Sequence, residues 1–405
     1  MRRSFHLTAV GLAAALLAGC SGGGTSSVPS GGDASGFLAR YERSAHTMKS
    51  CPSPLKGDDV RCLALLRTDL HGLGPDSTPS GYGPTQLQSA YALPSSTNGA
   101  GQTVAIVDAY DDPEAESDMG VYRSQFGLPA CTTANGCFKK LNQSGTQGNY
   151  PSKNGGWAEE ISLDLDMVSA NCPNCHIILV EANSASNSNL AAAENTAYSA
   201  GANVISNSYG GSETGSSNSA YNHPGAIITA SAGDDGYGAA QPCSYATVVC
   251  VGGTTLNTAN NARGWTETAW SDTGSGCSAY VSKPSWQTDK GCTKRSEADT
   301  SAVADPNTGV AVYDSYSYEG YSGWLVFGGT SVSSPLIASV YALAGNASSL
   351  NYAQSIWQNG GTSNLNDVTS GSNGHCSKSY SYICTAGVGY DGPTGWGTPH
   401  GIGAF

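Results

Sequence analysis

Charge is what this 405-residue sequence has least of. Asp, Glu, Lys and Arg together make up 12% of it, against about 25% in an ordinary soluble domain. Basic residues are the scarcer sign: 18 Lys and Arg stand against 31 Asp and Glu, a net charge of −13 with a pI near 4.8. That deficit argues against nucleic acid or an anionic membrane face as a partner. Beyond the first 20 residues no apolar run is long enough to span a bilayer, and no internal repeat is visible. Gly, Ser, Asn and Thr are abundant instead, a composition suited to an exported, loop-rich protein. The acidic balance also suits work at low pH, where protonated carboxylates carry little net charge.

The segment at 1–20, "MRRSFHLTAVGLAAALLAGC", has Arg2 and Arg3, an apolar stretch, then Leu17-Ala-Gly-Cys20. It resembles a bacterial lipoprotein signal in which Cys20 becomes the lipidated first residue; an ordinary signal peptide is the alternative. Membrane attachment is expected through that anchor only, with the protein on the cell surface or secreted. Residues 21–35 are Gly- and Ser-rich and read as a flexible tether. Residues 36–80 read as a short pre-domain, too small to bury much of a core, and 81–405 as the main domain.

Setting Cys20 aside leaves twelve cysteines in near-neighbour pairs: 51/62, 131/137, 172/175, 243/250, 277/292 and 376/384. In an exported chain, six local disulfides is the economical reading. Cys172-Pro-Asn-Cys175 has no second CxxC beside it, so a structural bridge outweighs a redox or metal motif.

From residue 81 onward, strand and helix patterns alternate. "TVAIVDAY" at 103–110 is a continuous apolar strand of the kind covered on both faces. A helix is expected from about residue 157 to Pro173, then a strand at "HIILVEAN" and a helix at "NLAAAENTAYSAGA". "NVISNSYGG", "AIITASAGDDG" and "TVVCVGGTTL" read as further strands, and "WLVFGG" as one leading into the helix "TSVSSPLIASVYALAG". Such alternation predicts an α/β fold with a mostly parallel sheet and right-handed crossovers. Chemistry in such sheets sits at the carboxyl ends of the strands.

One serine there has the setting of a nucleophile. Ser331 follows a strand and two glycines and opens an apolar helix, whose N-terminus favours developing negative charge. A helix cap is the plain alternative. A serine nucleophile needs a base, and no histidine of this chain lies in a Gly-rich "HGT" setting of the subtilisin kind. Asp108 does occupy a strand similar to the one that carries the subtilisin triad aspartate.

The chain offers carboxylates in place of the imidazole. Glu160 and Asp164 are four apart, on one helix face shared with Leu163, Met167 and Val168. Burial and like charge should raise their pKa values, so that the pair shares a proton. The alternative is a solvated acidic turn at a helix start. Asp234, in "SAGDDG", could donate to an oxyanion only when protonated; Asp-Asp-Gly is otherwise a common turn.

"AEEISLDLDMVSANCPNCHIILVEA", "VISNSYGG", "ITASAGDDG" and "GGTSVSSP" occur in the order, and in the strand–helix settings, of the sedolisin family. These are serine-carboxyl peptidases with a subtilisin-like, three-layer α/β fold, and the resemblance covers 81–405. It implies that Ser331 is the nucleophile, Glu160 its base, Asp164 the residue that tunes Glu160, and Asp234 the oxyanion donor. It leaves Glu159, Asp166 and Asp235 outside the catalytic set. It implies that Ser208, Tyr209 and Gly210 form the edge that pairs with a substrate backbone, and that the enzyme cleaves protein or peptide substrates under acidic conditions. It further implies one structural calcium ion, held by Asp367, the carbonyls of Val368, Gly387 and Gly389, and Asp391. The protein is expected to be a monomer.

Two features depart from the family pattern. Relatives usually carry a large N-terminal prodomain, whereas about 45 residues precede the main domain here, and many relatives lack a lipid anchor. Two rivals remain at this stage: a histidine-dependent, subtilisin-like protease using Asp108, and a surface lipoprotein that binds without catalysis.

Overall fold

The computed structural model describes residues 46–51, 59–70, 74–215 and 218–405. The signal segment with Cys20, the tether and residues 36–45 lie outside the described residues. Three short strands come first: β1 (Thr47–Lys49), β2 (Arg61–Cys62) and β3 (Leu65–Arg67). The boundary expected near residue 80 does not divide the structure, because 46–405 is one compact unit. The reason is burial: Cys51, Val60, Cys62, Leu63, Ala64 and Leu66 are all 4% exposed or less. These residues have no separate core to enter and pack into that of the main domain.

The apolar segment β4 (Thr103–Ala109) is buried from Val104 to Ala109 and lies at the middle of an eight-stranded sheet. β5 (Phe138–Asn142), β6 (His176–Ala182), β7 (Val204–Asn207), β9 (Ile227–Ser231) and β11 (Val249–Thr258) join it, in the order β11-β9-β7-β4-β6-β5 with all pairs parallel. β12 (Trp265–Ala269) adds antiparallel to β11, and β15 (Thr300–Val303) pairs parallel with it. The expected parallel α/β architecture is therefore present. Outside this sheet, β13 (Gly276–Ser282) and β14 (Lys294–Glu297) form a hairpin.

"NVISNSYGG" is not one strand. It breaks at Ser208: β7 stays in the central sheet, and β8 (Tyr209–Ser212) leaves to pair antiparallel with β2 and with β10 (Ala240–Gln241). At the other side of the same face, β16 (Val310–Tyr318) and β17 (Tyr321–Gly328) form an antiparallel pair, and β3 adds to the edge of β17. β1 completes that second sheet by pairing with β3.

Two helices are buried along nearly their whole length. The first, Gly155–Asn171, begins where the Asn154 side chain accepts from Trp157 N at 3.1 Å and ends just before Pro173. Every residue from Gly156 to Asn171 is buried. Ile161, Leu163, Leu165 and Met167 are completely inaccessible, and each contributes about 1.5–3 kcal/mol by leaving water. That gain offsets the cost of carrying four acidic side chains into the interior on the same helix. The second helix, Thr330–Ala344, contains Pro335. All six expected disulfides are present. Among the described residues no helix is long and apolar enough to cross a membrane.

Candidate active site

The buried helix Gly155–Asn171 carries Glu160 and Asp164 inward, one turn apart, and both are completely inaccessible. The solvated acidic turn is thereby excluded. Ser331 is the second residue of the Thr330–Ala344 helix and is also inaccessible. Gly329 precedes it with φ +98°, and a Cβ at Gly329 would stand 1.9 Å from the Leu63 carbonyl oxygen and 2.7 Å from Asp234 Oδ2. Only glycine tolerates both the backbone and the crowding there.

Ser208 joins the pieces. Its hydroxyl lies 2.7 Å from Asp164 Oδ1, and its carbonyl accepts from Ser331 Oγ at 3.2 Å. Pro335 has no N–H with which to bond the Ser331 carbonyl, and Ser208 Oγ stands 3.4 Å from that oxygen. The strand break at Ser208, which no local sequence pattern marks, is what turns these groups toward the serine.

Burial dominates the acidity of this group. It raises Glu160 and Asp164 well above the usual carboxylate range, and the charge of Asp108 raises both further. Proximity of the Ser331 hydroxyl works the other way on Glu160 by favouring its ionised form. Asp108, at the carboxyl end of β4, is inaccessible and forms no side-chain hydrogen bond among the described residues. Its own pKa is pushed up to about 8 by burial. The sequence offers Asp108 as a partner for a histidine; its neighbours prove to be two further carboxylates. Three buried carboxyl groups in one field cannot all ionise near neutrality, so protons are shared among them.

Asp234 follows β9. Its Oδ1 accepts from Thr330 N at 2.8 Å and from Thr330 Oγ1 at 2.7 Å. Burial raises its pKa to about 7 against the opposing effect of those bonds, so it holds a proton under acidic conditions. Oδ2 takes no hydrogen bond among the described residues and faces the crowded point beside Gly329.

The remaining acids on these segments are engaged elsewhere. Asp166 Oδ2 accepts from Tyr313 N at 2.9 Å. Burial raises Glu159 to about 8. Asp235 pairs with Arg61, and with Lys49 at 2.7 Å. Among the described residues no histidine hydrogen-bonds to Ser331 or Asp108: His223 stacks on Tyr198 with centroids 4.2 Å apart, and His400 meets the Ser363 carbonyl. Among the described residues, therefore, no histidine triad is assembled at Ser331.

Ser208, Tyr209 and Gly210 lie at the rim of the site, and a piece of the chain itself covers them. Arg61 pairs with Gly210 and Cys62 with Tyr209 in antiparallel register, and Leu63 N donates to the Ser208 carbonyl at 3.2 Å. Leu63 N and Ala64 N both donate to Glu160 Oε2, at 2.9 and 2.8 Å. No sequence signal marked residues 59–67 as an occupant of this cleft.

Asp367 and Asp391 come together near the C-terminus. Asp391 is buried, its Oδ2 accepts from Gly387 N at 3.0 Å, and Asp367 Oδ2 accepts from Gly389 N at 2.9 Å. Burial raises Asp391 to about 7, and the charge of Asp367 adds to the rise. The carbonyl oxygens of Val368, Gly387 and Gly389 accept no hydrogen bond from a described residue. Two neighbouring carboxylates on a Gly-rich loop are the kind of oxygen donors that a hard cation takes. Cys243, Cys250 and Glu297 also cluster, but the two sulfurs are joined in a disulfide and supply no thiolate.

No family model matches the chain. Among curated proteins it is 27% identical over 370 residues to sedolisin of Pseudomonas sp. (strain 101), covering 79% of this chain and 60% of that protein. It is 27% identical over 390 residues to kumamolisin of Bacillus sp. (strain MN-32), covering 86% and 67% respectively. The chain thus spans less than two thirds of the length of the sedolisin that it matches. Among solved structures, Pseudomonas sedolisin, a serine-carboxyl proteinase complexed with two molecules of pseudo-iodotyrostatin, superposes with a TM-score of 0.67 at 28% identity, over 80% of this chain and 96% of that one. A buried Glu–Asp pair, a helix-borne serine and a buried aspartate with a raised pKa on a mostly parallel α/β sheet accord with these matches: in sequence and in fold the chain is similar to the sedolisin family.

Proposed function

We propose that this protein is a serine-carboxyl peptidase that hydrolyses peptide bonds at acidic pH. The observation that carries the reading is the meeting of Glu160, Ser208 and Ser331 around one peptide segment. Glu160 Oε2 accepts from Leu63 N and Ala64 N at 2.9 and 2.8 Å, the Ser208 carbonyl accepts from both Leu63 N and Ser331 Oγ, and Gly329, beside Asp234 Oδ2, stands against the Leu63 carbonyl. A carboxylate that can reach an amide nitrogen can also return a proton to it.

In this mechanism Glu160 takes the proton of Ser331, whose oxygen attacks the substrate carbonyl carbon. Protonated Asp234 donates to the oxygen that becomes negative, and the N-terminus of the Thr330–Ala344 helix adds its dipole. Glu160 then gives its proton to the departing amine. Water enters, Glu160 removes its proton in turn, and the acyl group leaves Ser331. Asp164, whose Oδ1 takes the Ser208 hydroxyl, shares the buried field with Glu160, so that the two carboxyls hold a proton between them rather than both ionising. Ser208, Tyr209 and Gly210 supply the edge on which a substrate strand adds.

The same reading assigns one structural calcium ion to Asp367, Asp391 and the carbonyls of Val368, Gly387 and Gly389. There it would neutralise two neighbouring carboxylates and tie the 387–391 loop to residue 367. Export is supported by the six disulfides, and Cys20 is the assigned lipid attachment point.

The test is cleavage of casein and of a peptide library from pH 3 to 8 by the wild-type chain, Ser331→Ala and Glu160→Ala. Acid-side activity lost in both variants supports the reading. Neutral or alkaline activity that survives Glu160→Ala would sink it. Absence of cleavage at every pH, with no labelling of Ser331 by an acylating probe, would favour a binding protein.

A further inference from the structure

β8 leads away from the reacting serine. Its inner end follows Ser208, whose carbonyl accepts from Ser331 Oγ, and its outer end, Ser212, runs directly into Glu213. A cavity of about 250 Å³ opens there, among the residues after β8, those around β10 and the strand β13. Glu213, Gln241, Ser244, Tyr245 and Tyr280 line it. It lies below the range of about 300–1,000 Å³ that cofactors and drug-sized molecules take, and suits one long side chain.

The lining groups are held in place yet keep binding capacity. The Glu213 carboxylate accepts from Ser278 Oγ at 2.5 Å and from Ala279 N at 2.9 Å. Those two bonds fix it and use about half of what a carboxylate can accept. Ser244 is 1% exposed, and its hydroxyl has no hydrogen-bond partner among the described residues. A buried hydroxyl in that condition costs free energy until something polar meets it. Tyr280 keeps 53% of its surface exposed while its ring rests on Gly215, where a Cβ would stand 2.8 Å from Cδ1.

The cavity carries charge of one sign. Among the described residues no Lys or Arg forms an ion pair with Glu213. Lys294, in β14, gives its ammonium to the Tyr280 carbonyl at 3.2 Å, and Lys283 pairs with Asp289 at 2.9 Å. Burial, and then the charge of Glu213, raises the Tyr245 phenol above its ordinary range, so that ring stays neutral. A fixed carboxylate with two neutral tyrosine rings is the surrounding that an ammonium or guanidinium group takes.

We propose that this cavity is a second recognition site for the polypeptide being cut, taking a Lys or Arg side chain on the amino side of the scissile bond. The inference rests on the peptidase reading above and adds a site remote from the chemistry. The direction follows from β8. Residues 61–62 pair with it antiparallel, and a substrate strand added in that sense runs toward its amino end as it moves outward from Ser208. Five residues separate Ser208 from Glu213, about 16 Å of extended chain. Val60, three residues out from Leu63, shows the reach: it lies on Gly211, where a Cβ would stand 3.1 Å from it, and Gly211 pairs with Gln241 of the cavity wall. The basic residue therefore belongs about four to six places before the bond.

The experiment uses twelve-residue peptides with one fixed cleavage point, in which a single lysine replaces norleucine at each preceding position in turn. They are offered at pH 5 to the wild type, Glu213→Gln and Tyr280→Ala. Lysine four to six places before the bond should lower the wild-type KM about three- to ten-fold relative to norleucine, with kcat the same for both peptides. The lysine-to-norleucine ratio should fall to about one in Glu213→Gln and shrink in Tyr280→Ala. Glu213 also anchors β13, so the exposed Tyr280 keeps the test decisive if Glu213→Gln does not fold. Calorimetric titration of the Ser331→Ala protein should show the same order of affinity for the two peptides. Peptides cut equally well wherever the lysine stands, a preference confined to the residue next to the bond, or a preference that survives both variants overturns the inference and spares the peptidase reading. Wild type that cuts none of the peptides overturns both.

Discussion

Thr330 holds one oxygen of Asp234 with both its backbone N–H and its hydroxyl, at 2.8 and 2.7 Å, and leaves the other oxygen facing the site. Burial raises the pKa of Asp234 to about 7, so the proton that the proposed mechanism asks it to donate is present below that value and lost above it. The alkaline limb of kcat against pH should therefore fall near pH 7. Asp234→Asn, which donates at any pH, should move that limb upward. Asp234→Ala should lower kcat by about 10²–10³, as read from pH–rate profiles of the three proteins.

In the proposed mechanism Glu160 and Ser331 form one reacting unit, so their losses should not add. Glu160→Ala should lower kcat by about 10²–10⁴. The double variant Glu160→Ala, Ser331→Ala should be no slower than Ser331→Ala alone. Asp164→Asn should cost less than Glu160→Ala and should shift the acid limb, because it removes a buried carboxyl that is coupled through charge to Glu160. If the double variant shows the product of the two single losses, the two residues act separately and the assignment fails.

Stability should be greatest in acid. Burial raises Asp112 and Asp234 to about 7, Asp108, Glu159 and Glu181 to about 8, and Asp314 to about 9. Each binds its proton more tightly folded than unfolded, where a carboxyl titrates near 4. Their contribution is complete below pH 4 and is lost as pH rises through 7–9, at up to about 1.4 kcal/mol per pH unit for each group. Calorimetry on the Ser331→Ala protein should show Tm falling steadily from pH 4 to pH 9. A Tm that rises over this interval contradicts the buried-acid account.

Removal of a bound cation should show at Asp367 and Asp391. EDTA should lower the Tm of the wild type, with one calcium per chain found by elemental analysis, and Asp367→Ala should match the EDTA-treated wild type with or without chelator. Asp367 is exposed, so its replacement leaves the core intact, whereas Asp391 also bonds Thr394 and Gly387 and would destabilise on its own account.

The sheet and the acid pair were legible in the sequence because each is encoded by local periodicity. The unbroken apolar run at 104–109 marks a strand covered on both faces, and the four-residue spacing of Glu160 and Asp164 marks a common face. Ser208 was not legible as a strand break, since 204–212 is uniformly strand-like and only its two different pairing partners divide it. Asp108 was read correctly as a strand-end carboxylate, but its neighbours come from a helix some fifty residues later. Residues 59–67 carry no periodic signal; only long-range pairing with β8 and β17 reveals where they lie.

Every disulfide of this protein closes a loop that lies wholly on one side of the Leu63–Ala64 bond: Cys51–Cys62 before it, the other five after it. Among the described residues, backbone apart, no covalent bond crosses that point, so the strand over Ser208, Tyr209 and Gly210 is held to the rest of the fold by hydrogen bonds and packing alone.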